Sequence, residues 1–130
     1  MFKKEKFNDL NTRYRTHAYT GLMGIFMNYC HKQLENMQMP KKMPMVLEVG
    51  AGDSPHLEYL KHDFDEYHII ETSDYALENK EKNTKIFKKK YDGKKIPYPD
   101  ETFDRIIISH CLEHIPFPEN FLFEMMSKLK

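Results

Sequence analysis

The stretch VLEVGAGDS, residues 46–54, decides the fold of this chain. Apolar residues flank one acid, Glu48, and two glycines follow with a single residue between them. An apolar run that ends in glycines is typical of a buried strand that turns sharply into the next element. Gly50 and Gly52 let the backbone turn tightly and approach a ligand, and a following helix start offers free N–H groups. A G-x-G pair also ends many ordinary strands, so the rest of the sequence must decide between a ligand loop and a plain turn.

The composition is that of an ordinary globular domain. Lysine plus arginine and aspartate plus glutamate number 20 each in 130 residues, so charge gives no argument for nucleic acid or an anionic membrane as a partner. Cys30 and Cys111 form no C-x-x-C pair, which is the usage of a reducing compartment. The first fifteen residues contain no apolar core of a signal peptide, and GLMGIFMNYC is too short to span a bilayer. We therefore expect a cytoplasmic protein with neither membrane nor nucleic-acid partners.

The hydrophobic period changes along the chain. Apolar residues recur every three to four positions between residues 7 and 37, which predicts an amphipathic helix, or two helices that break near Gly21. Further along, short apolar runs alternate with segments of helical composition. The predicted strands are MVLEVG, EYHII, TKIFKKKY and FDRIIIS. The predicted helices between and after them are residues 55–62, with Pro55 in the first turn, residues 71–82, with Ser73 as N-cap, and residues 117–130.

This alternation predicts an α/β fold, with a parallel sheet and helices on both faces. In such sheets ligands bind beyond the carboxyl ends of the strands, which is where the glycines lie. A nicotinamide-binding loop has its third glycine three residues after the second, and here that position is Pro55. A nicotinamide-dependent oxidoreductase is therefore a disfavoured alternative, and the pattern is instead E-x-G-x-G.

Four segments in order resemble class I S-adenosylmethionine-dependent methyltransferases over roughly residues 45–130. VLEVGAGDS is similar to the first motif of that family, whose loop holds the methionine part of the cofactor. Ser54 stands where the family often has a third glycine. The resemblance implies a Rossmann-like sheet and S-adenosyl-L-methionine as cofactor. The loop residues that it implies as cofactor-binding are Glu48, Gly50, Ala51 and Gly52.

The other three segments imply further contacts with the cofactor. Glu71 matches the family's acid for the two ribose hydroxyls, with Thr72 beside it, and a carboxylate does accept from two neighbouring hydroxyls with charge-assisted bonds. Taken alone, Glu71 could equally be a solvated acid at a strand end. Asp92 matches the acid that accepts from the adenine amino group, and the backbone of Gly93 is expected beside the ring. The family resemblance also places Ser109 and His110 against the cofactor and the substrate pocket.

Methyl transfer from a sulfonium mainly requires orientation of two reactants and exclusion of water, with proton removal for some acceptors. His110 is the first candidate for a general base because it follows the fourth strand directly, and His114 is the second. These residues with Glu113 spell H-x-x-E-H, which on a helix would share a face and could hold a metal ion. We favour capping or hydrogen bonding by Glu113 and His114, and expect no metal.

The resemblance divides the chain into an N-terminal helical lid or cap segment, residues 1–44, and a partial cofactor-binding domain, residues 45–130. His17 and Tyr19 are the lid residues expected nearest the pocket, although plain packing against the sheet is the favoured alternative. The family has seven strands, so the resemblance implies that the last three are absent here. The fourth strand would then be an open edge, and such edges pair with other chains, which predicts a homodimer. The lysines of TKIFKKKYDGKK are expected to protect the opposite edge, rather than to bind phosphate.

The sequence as a whole predicts an S-adenosylmethionine-dependent methyltransferase, or its cofactor-binding half, acting on a small-molecule acceptor. The alternative is a non-catalytic cofactor-binding or interaction module derived from such an enzyme. Fold alone does not choose the acceptor.

Overall fold

A computed structural model describes residues 21–52, 55–74, 77 and 83–130 of the chain. The chain divides by its contacts into two compact units, Met1–Gln38 and Met39–Lys130. In the first unit, helix α1 spans Gly21–Leu34 and buries Gly24, Met27 and His31, at the spacing of one helix face. The rest of the predicted helix over residues 7–37, with His17 and Tyr19, lies largely outside the described residues. No helix in the described part of the chain is long and apolar enough to cross a membrane.

The second unit is an α/β domain with one parallel sheet, which confirms the predicted Rossmann-like fold class. Its strand order is β3-β2-β1-β4, so β1 and β2 lie inside the sheet and β3 and β4 at its edges. The elements are β1 (Met45–Val49), β2 (Glu66–Glu71), β3 (Ile86–Lys90), β4 (Arg105–Ile108) and α2 (Pro118–Lys128).

Strand β1 is the centre of this unit. Val46, Leu47 and Val49 are completely buried, as expected for a strand with neighbours on both sides. Val49 pairs with Ile70 on one side and with Ile108 on the other, so the three strands end level with one another. The residues that follow them therefore meet at one edge of the sheet. The core that supports this edge consists of Leu47, Val49, Ile70, Tyr91, Ile96, Phe103, Phe121 and Met125.

Helix α2 covers this core and then returns the chain to the β4 edge. Pro118 stands in its first turn, where a missing N–H is harmless, and Phe121 contributes to the core. After the helix, the backbone N–H of Lys130 donates to the carbonyl of Phe103 at 3.0 Å. A parallel bridge also joins Phe103 to Leu129. The segment after α2 thus lies beside the start of β4.

The predicted helix over residues 55–62 is wrong. Only a short 3₁₀ turn forms there, from His56 to Tyr59, and the backbone is extended again at Leu60. The chain then pairs with the segment before β1, because the N–H of Asp63 donates to the carbonyl of Lys41 at 2.9 Å. These backbone bonds replace those of a continued helix. The predicted helix over residues 71–82 lies largely outside the described residues.

Candidate functional site

A cleft of about 190 Å³ opens at the carboxyl edge of the sheet. The ends of β1, β2 and β3 and the segment after β4 all contribute to it, as expected for a parallel sheet. Its lining consists of Gly50, Glu71, Thr72, Tyr91, Asp92, Gly93, Lys94, Cys111, His114, Ile115 and Pro116. A second cleft of about 400 Å³ adjoins it, sharing Gly93, Lys94, Ile115 and Pro116 and reaching Phe117 and Phe121. The available space therefore runs from the glycines after β1 to α2.

The glycine loop, residues 50–55, starts at this cleft, and its residues 50–52 and 55 are described. Gly50 and Gly52 have φ angles of +69° and +56°, in the left-handed region that favours glycine. A Cβ at Gly50 would lie 2.8 Å from the Cβ of Cys111 and closer still to its sulfur. At Gly52 a Cβ would meet nothing within 4 Å. Position 50 therefore requires glycine because a Cβ has no room there and because φ is positive. Position 52 requires it only because φ is positive.

Glu71 connects the glycine loop to the end of β2. Its side chain is buried and lines the cleft, and Oε1 accepts a hydrogen bond from the backbone N–H of Gly52. A carboxylate has about four acceptor positions on two oxygens, so Glu71 can accept from more than one donor at a time. The acid for which the family resemblance implies contacts with the ribose hydroxyls thus lines the cleft, next to the loop.

Asp92 and Gly93 form the cleft rim after β3. Asp92 Oδ1 accepts from the backbone N–H groups of Lys94 and Lys95, at 2.8 and 2.9 Å, and so closes the turn. These two hydrogen bonds hold the pKa of Asp92 below its usual range, and the one from the N–H of Lys95 has the larger effect. Gly93 has a φ of +78°, and a Cβ there would lie 3.2 Å from Cγ2 of Thr72. The rim therefore presents an ionised acceptor beside a backbone that a flat ligand can approach closely.

Glu48 lies beneath the loop and is not part of the lining of the cleft. Its side chain is 1 % exposed, Oε1 accepts from the backbone N–H of His56 at 2.7 Å, and Oε2 accepts from the hydroxyl of Tyr67 at 2.6 Å. Burial raises the pKa of Glu48 to about 7, against the two hydrogen bonds, which lower it. The acid of the E-x-G-x-G pattern thus makes internal contacts, whereas the sequence assigned it to the cofactor.

The H-x-x-E-H segment does not form a helix on which its residues would share a face. His110 has a φ of +53°, and the segment after it is only a 3₁₀ turn, Leu112–His114. His114 lines the cleft with a largely exposed side chain, and its Nε2 lies 4.0 Å from Oε1 of Glu113. Within the described ranges no three His, Cys, Asp or Glu side chains are grouped closely enough to hold a metal ion. The weak metal candidates His110, Glu113 and His114 are therefore not brought together.

The described lining of this cleft does not include Ala51, Ser109 or His110. It does include residues that the sequence did not single out, among them Tyr91 and Cys111. Burial raises the pKa of Tyr91 to about 12, and burial followed by the charge of Glu71 raises that of Cys111 to about 11. Both groups are therefore protonated at neutral pH. Tyr91 could have been found from its place directly after β3, whereas nothing in the sequence marked Ile115 and Pro116.

Comparisons with solved structures place this fold among methyltransferases. A structure of a SAM-dependent methyltransferase from Aquifex aeolicus is 29 % identical, covers 70 % of this chain and 54 % of its own, and has a TM-score of 0.57. An S-adenosyl-L-methionine-dependent methyltransferase structure from Methanococcus maripaludis is 16 % identical, with 91 % and 57 % coverage and a TM-score of 0.71. A chain from a structure described as a complex between the Haloferax volcanii Trm112 methyltransferase activator and a methyltransferase is 12 % identical, with 97 % and 54 % coverage and a TM-score of 0.67.

The chain thus spans about half the length of these similar structures. No curated protein matches its sequence. The family model described as "Methyltransferase domain" matches residues 47–130, which is well over half of the chain and includes the whole sheet apart from the first two residues of β1. The class I S-adenosylmethionine-dependent resemblance is confirmed, and the chain belongs to the methyltransferase domain family.

Proposed function

We propose that this chain binds S-adenosyl-L-methionine in the cleft at the carboxyl edge of the sheet and serves a methyl transfer to a small-molecule acceptor. The observation that carries the proposal is the position of Glu71. Its buried carboxylate accepts from the N–H of Gly52 and lines the same cleft as the rim acid Asp92, which follows the next strand, β3. Two acceptors at neighbouring strand ends suit a ligand that has vicinal hydroxyls at one end of a nucleoside and an amino group at the other.

The residues present fit this cofactor by their chemistry. Glu71 would accept from the ribose hydroxyls, and Asp92 would accept from the adenine amino group, because its low pKa keeps it ionised. Gly93 permits close approach of the ring, and the apolar side chain of Ile115 and the ring of Pro116 can cover it. When bound, the cofactor supplies a methyl group that its sulfonium already activates. The protein then has to hold two reactants in line and exclude water.

Acceptors whose nucleophile carries a proton also require a base. His114 is the histidine that the described cleft lining contains, and His110 remains the candidate nearest the end of β4. We therefore propose one of these two as the proton acceptor. Loss of turnover with unchanged cofactor affinity in His114→Gln, and not in His110→Gln, would assign it to His114.

A non-catalytic cofactor-binding module is the second candidate function. The chain spans about half the length of the methyltransferase structures that it resembles. One of these, from Haloferax volcanii, is a complex with a methyltransferase activator. Turnover with any acceptor separates the two functions, since both require cofactor binding.

We also propose that two copies of the chain associate through the outer edge of β4. This strand is last in the sheet order, and beyond the bridge to Leu129 the described residues place no strand on its outer side. In the same unit Phe123 and Met126 of α2 are mostly exposed. Unpaired edges and exposed apolar groups promote association. A mass in dilute solution that stays at 15.6 kDa would contradict this proposal.

The decisive experiment for cofactor binding is calorimetric titration with S-adenosylhomocysteine. Glu71→Ala is expected to lower the affinity tenfold or more, because a buried charged acceptor of ligand hydroxyls is lost. Glu66→Ala is the matched control, since Glu66 is the same residue type at the opposite end of the same strand. Its affinity should equal that of the wild type. A folded wild-type chain that binds no S-adenosylhomocysteine would refute the proposal.

A further inference from the structure

Tyr67 and Glu48 form a buried pair beneath the glycine loop. Tyr67 lies on β2 and is completely buried, and its hydroxyl donates to Oε2 of Glu48 on the adjacent strand at 2.6 Å. This distance lies within the range of about 2.5–2.7 Å for charge-assisted O–H···O⁻ hydrogen bonds. Neither residue lines the cleft, so the pair does not act by touching a ligand there.

The other oxygen of Glu48 connects the pair to the loop. Oε1 accepts from the backbone N–H of His56 at 2.7 Å, and His56 is the first residue of the turn that follows the loop. Three backbone N–H groups thus anchor the described part of the loop and the start of the turn after it. Gly50 donates to the carbonyl of Ile70 at 3.0 Å, Gly52 donates to Glu71, and His56 donates to Glu48. Of the three acceptors, Glu48 holds the end where the chain leaves the loop.

We propose that Tyr67 is a positioning residue for cofactor binding: through Glu48 it holds His56 and so fixes the exit of the glycine loop. The inference rests on the proposed function, in which this loop borders the cofactor. The mechanical part of it, the anchoring of His56, holds for any ligand of the loop.

The chemistry of the pair argues against a role in packing alone. A buried carboxylate is costly unless donors surround it, and an apolar side chain would fill the centre of β1 without that cost. The groups that act on Glu48 are the Tyr67 hydroxyl and the His56 N–H, which stabilise its ionised form, and the charge of Glu71, which opposes it. With its pKa near 7, Glu48 changes charge in the neutral range, and the loss of the Tyr67 hydroxyl moves that change to higher pH.

The test compares Tyr67→Phe with Tyr98→Phe. Both variants keep the ring and lose one hydroxyl, and the Tyr98 hydroxyl bonds Nδ1 of His68 at 3.0 Å, away from the loop. We expect Tyr67→Phe to lower S-adenosylhomocysteine affinity about fivefold to tenfold, the usual effect of one hydrogen bond. The pH at which affinity changes should also move upward. Tyr98→Phe should leave the affinity and its pH profile unchanged.

Amide hydrogen exchange at His56 provides a readout that needs no ligand. Tyr67→Phe is expected to speed exchange of this amide about tenfold relative to Tyr98→Phe, since the carboxylate that holds it has lost its second donor. Equal exchange at His56 in the two variants, or equal affinities and pH profiles, would overturn the positioning role. If the wild type fails to bind S-adenosylhomocysteine, the proposed function fails, and exchange at His56 still decides whether Tyr67 anchors the loop.

Discussion

The substitution Glu48→Gln tests the electrostatics beneath the glycine loop directly. Glutamine has nearly the same shape and keeps a carbonyl oxygen that can accept from the N–H of His56. Its amide group can donate to the hydroxyl of Tyr67, which is an acceptor as well as a donor. The variant therefore preserves the contacts of the buried side chain and removes only its titration.

The expected effect follows from the pKa of Glu48, which burial raises from the ordinary 4.5 to about 7. Because the folded pKa lies above the unfolded one, the stabilisation of the protonated form is fully present below about pH 4.5 and is lost as the pH rises through 7. One pKa unit corresponds to about 1.4 kcal/mol, so the loss amounts to roughly 3 kcal/mol. As the pH rises, the free energy of unfolding of the wild type should fall by this amount relative to that of Glu48→Gln. The difference between the two proteins should level off at about pH 8.

Urea unfolding of the wild type and Glu48→Gln at several pH values between 4.5 and 8.5 measures this difference. Titrations of other groups cancel, because both proteins share them. Glu113→Gln is the matched control, since it makes the same change of residue type at a largely exposed side chain. A flat difference for Glu48→Gln, or one that changes in the wild type's favour as pH rises, would show that Glu48 is ionised at little cost and would refute the reasoning.

Two further predictions concern the contact between the loop and the segment after β4. Gly50→Ala should abolish S-adenosylhomocysteine binding and lower the unfolding temperature, because the added Cβ would overlap Cys111 and residue 50 has a positive φ. The double variant Gly50→Ala/Cys111→Ala should recover part of the lost stability but not all of it, since the backbone strain at residue 50 remains. Full recovery, measured by thermal unfolding, would show that space alone requires the glycine. Alkylation of Cys111 by iodoacetamide should be slow at pH 7.5 and accelerate up to about pH 11, because burial raises its pKa to that value, and S-adenosylhomocysteine should slow it further. Mass spectrometry measures the alkylation, and rapid alkylation of Cys111 at pH 7.5 would contradict the prediction.

The sequence predicted the strands of the sheet well, and the reason is local. Apolar runs mark buried strands of a parallel sheet, and side chains just after such strands must meet at one edge. The family resemblance singled out Glu71 and Asp92 among such residues, and the structure places both in the lining of one cleft. Tyr91 follows from the same rule, although it was not named.

The failures arise where distant backbone groups decide the local conformation. Residues 55–62 have helical composition, but the helical conformation ends after one turn, because Asp63 pairs with Lys41 through backbone hydrogen bonding. The H-x-x-E-H spacing implies a shared face only on a continuous helix, and the left-handed conformation of His110 interrupts it. Neither event is visible in the hydrophobic period, which records burial and not backbone partners.

Glu48 on β1 and Glu71 at the end of β2 are the same residue type on neighbouring strands, and their positions alone give them different roles. Both accept a backbone N–H at the glycine loop, Glu71 from Gly52 within the loop and Glu48 from His56 directly after it. Glu71 also opens on the cleft, whereas Glu48 is enclosed by the sheet and bonded to Tyr67. A substitution at Glu71 therefore removes a loop anchor and a ligand acceptor together, while one at Glu48 changes the loop alone. Since both sites carry glutamate, the same substitution can be made at each. The difference in cofactor affinity between the Glu71 variant and the Glu48 variant then separates direct contact with the cofactor from positioning of the loop that holds it.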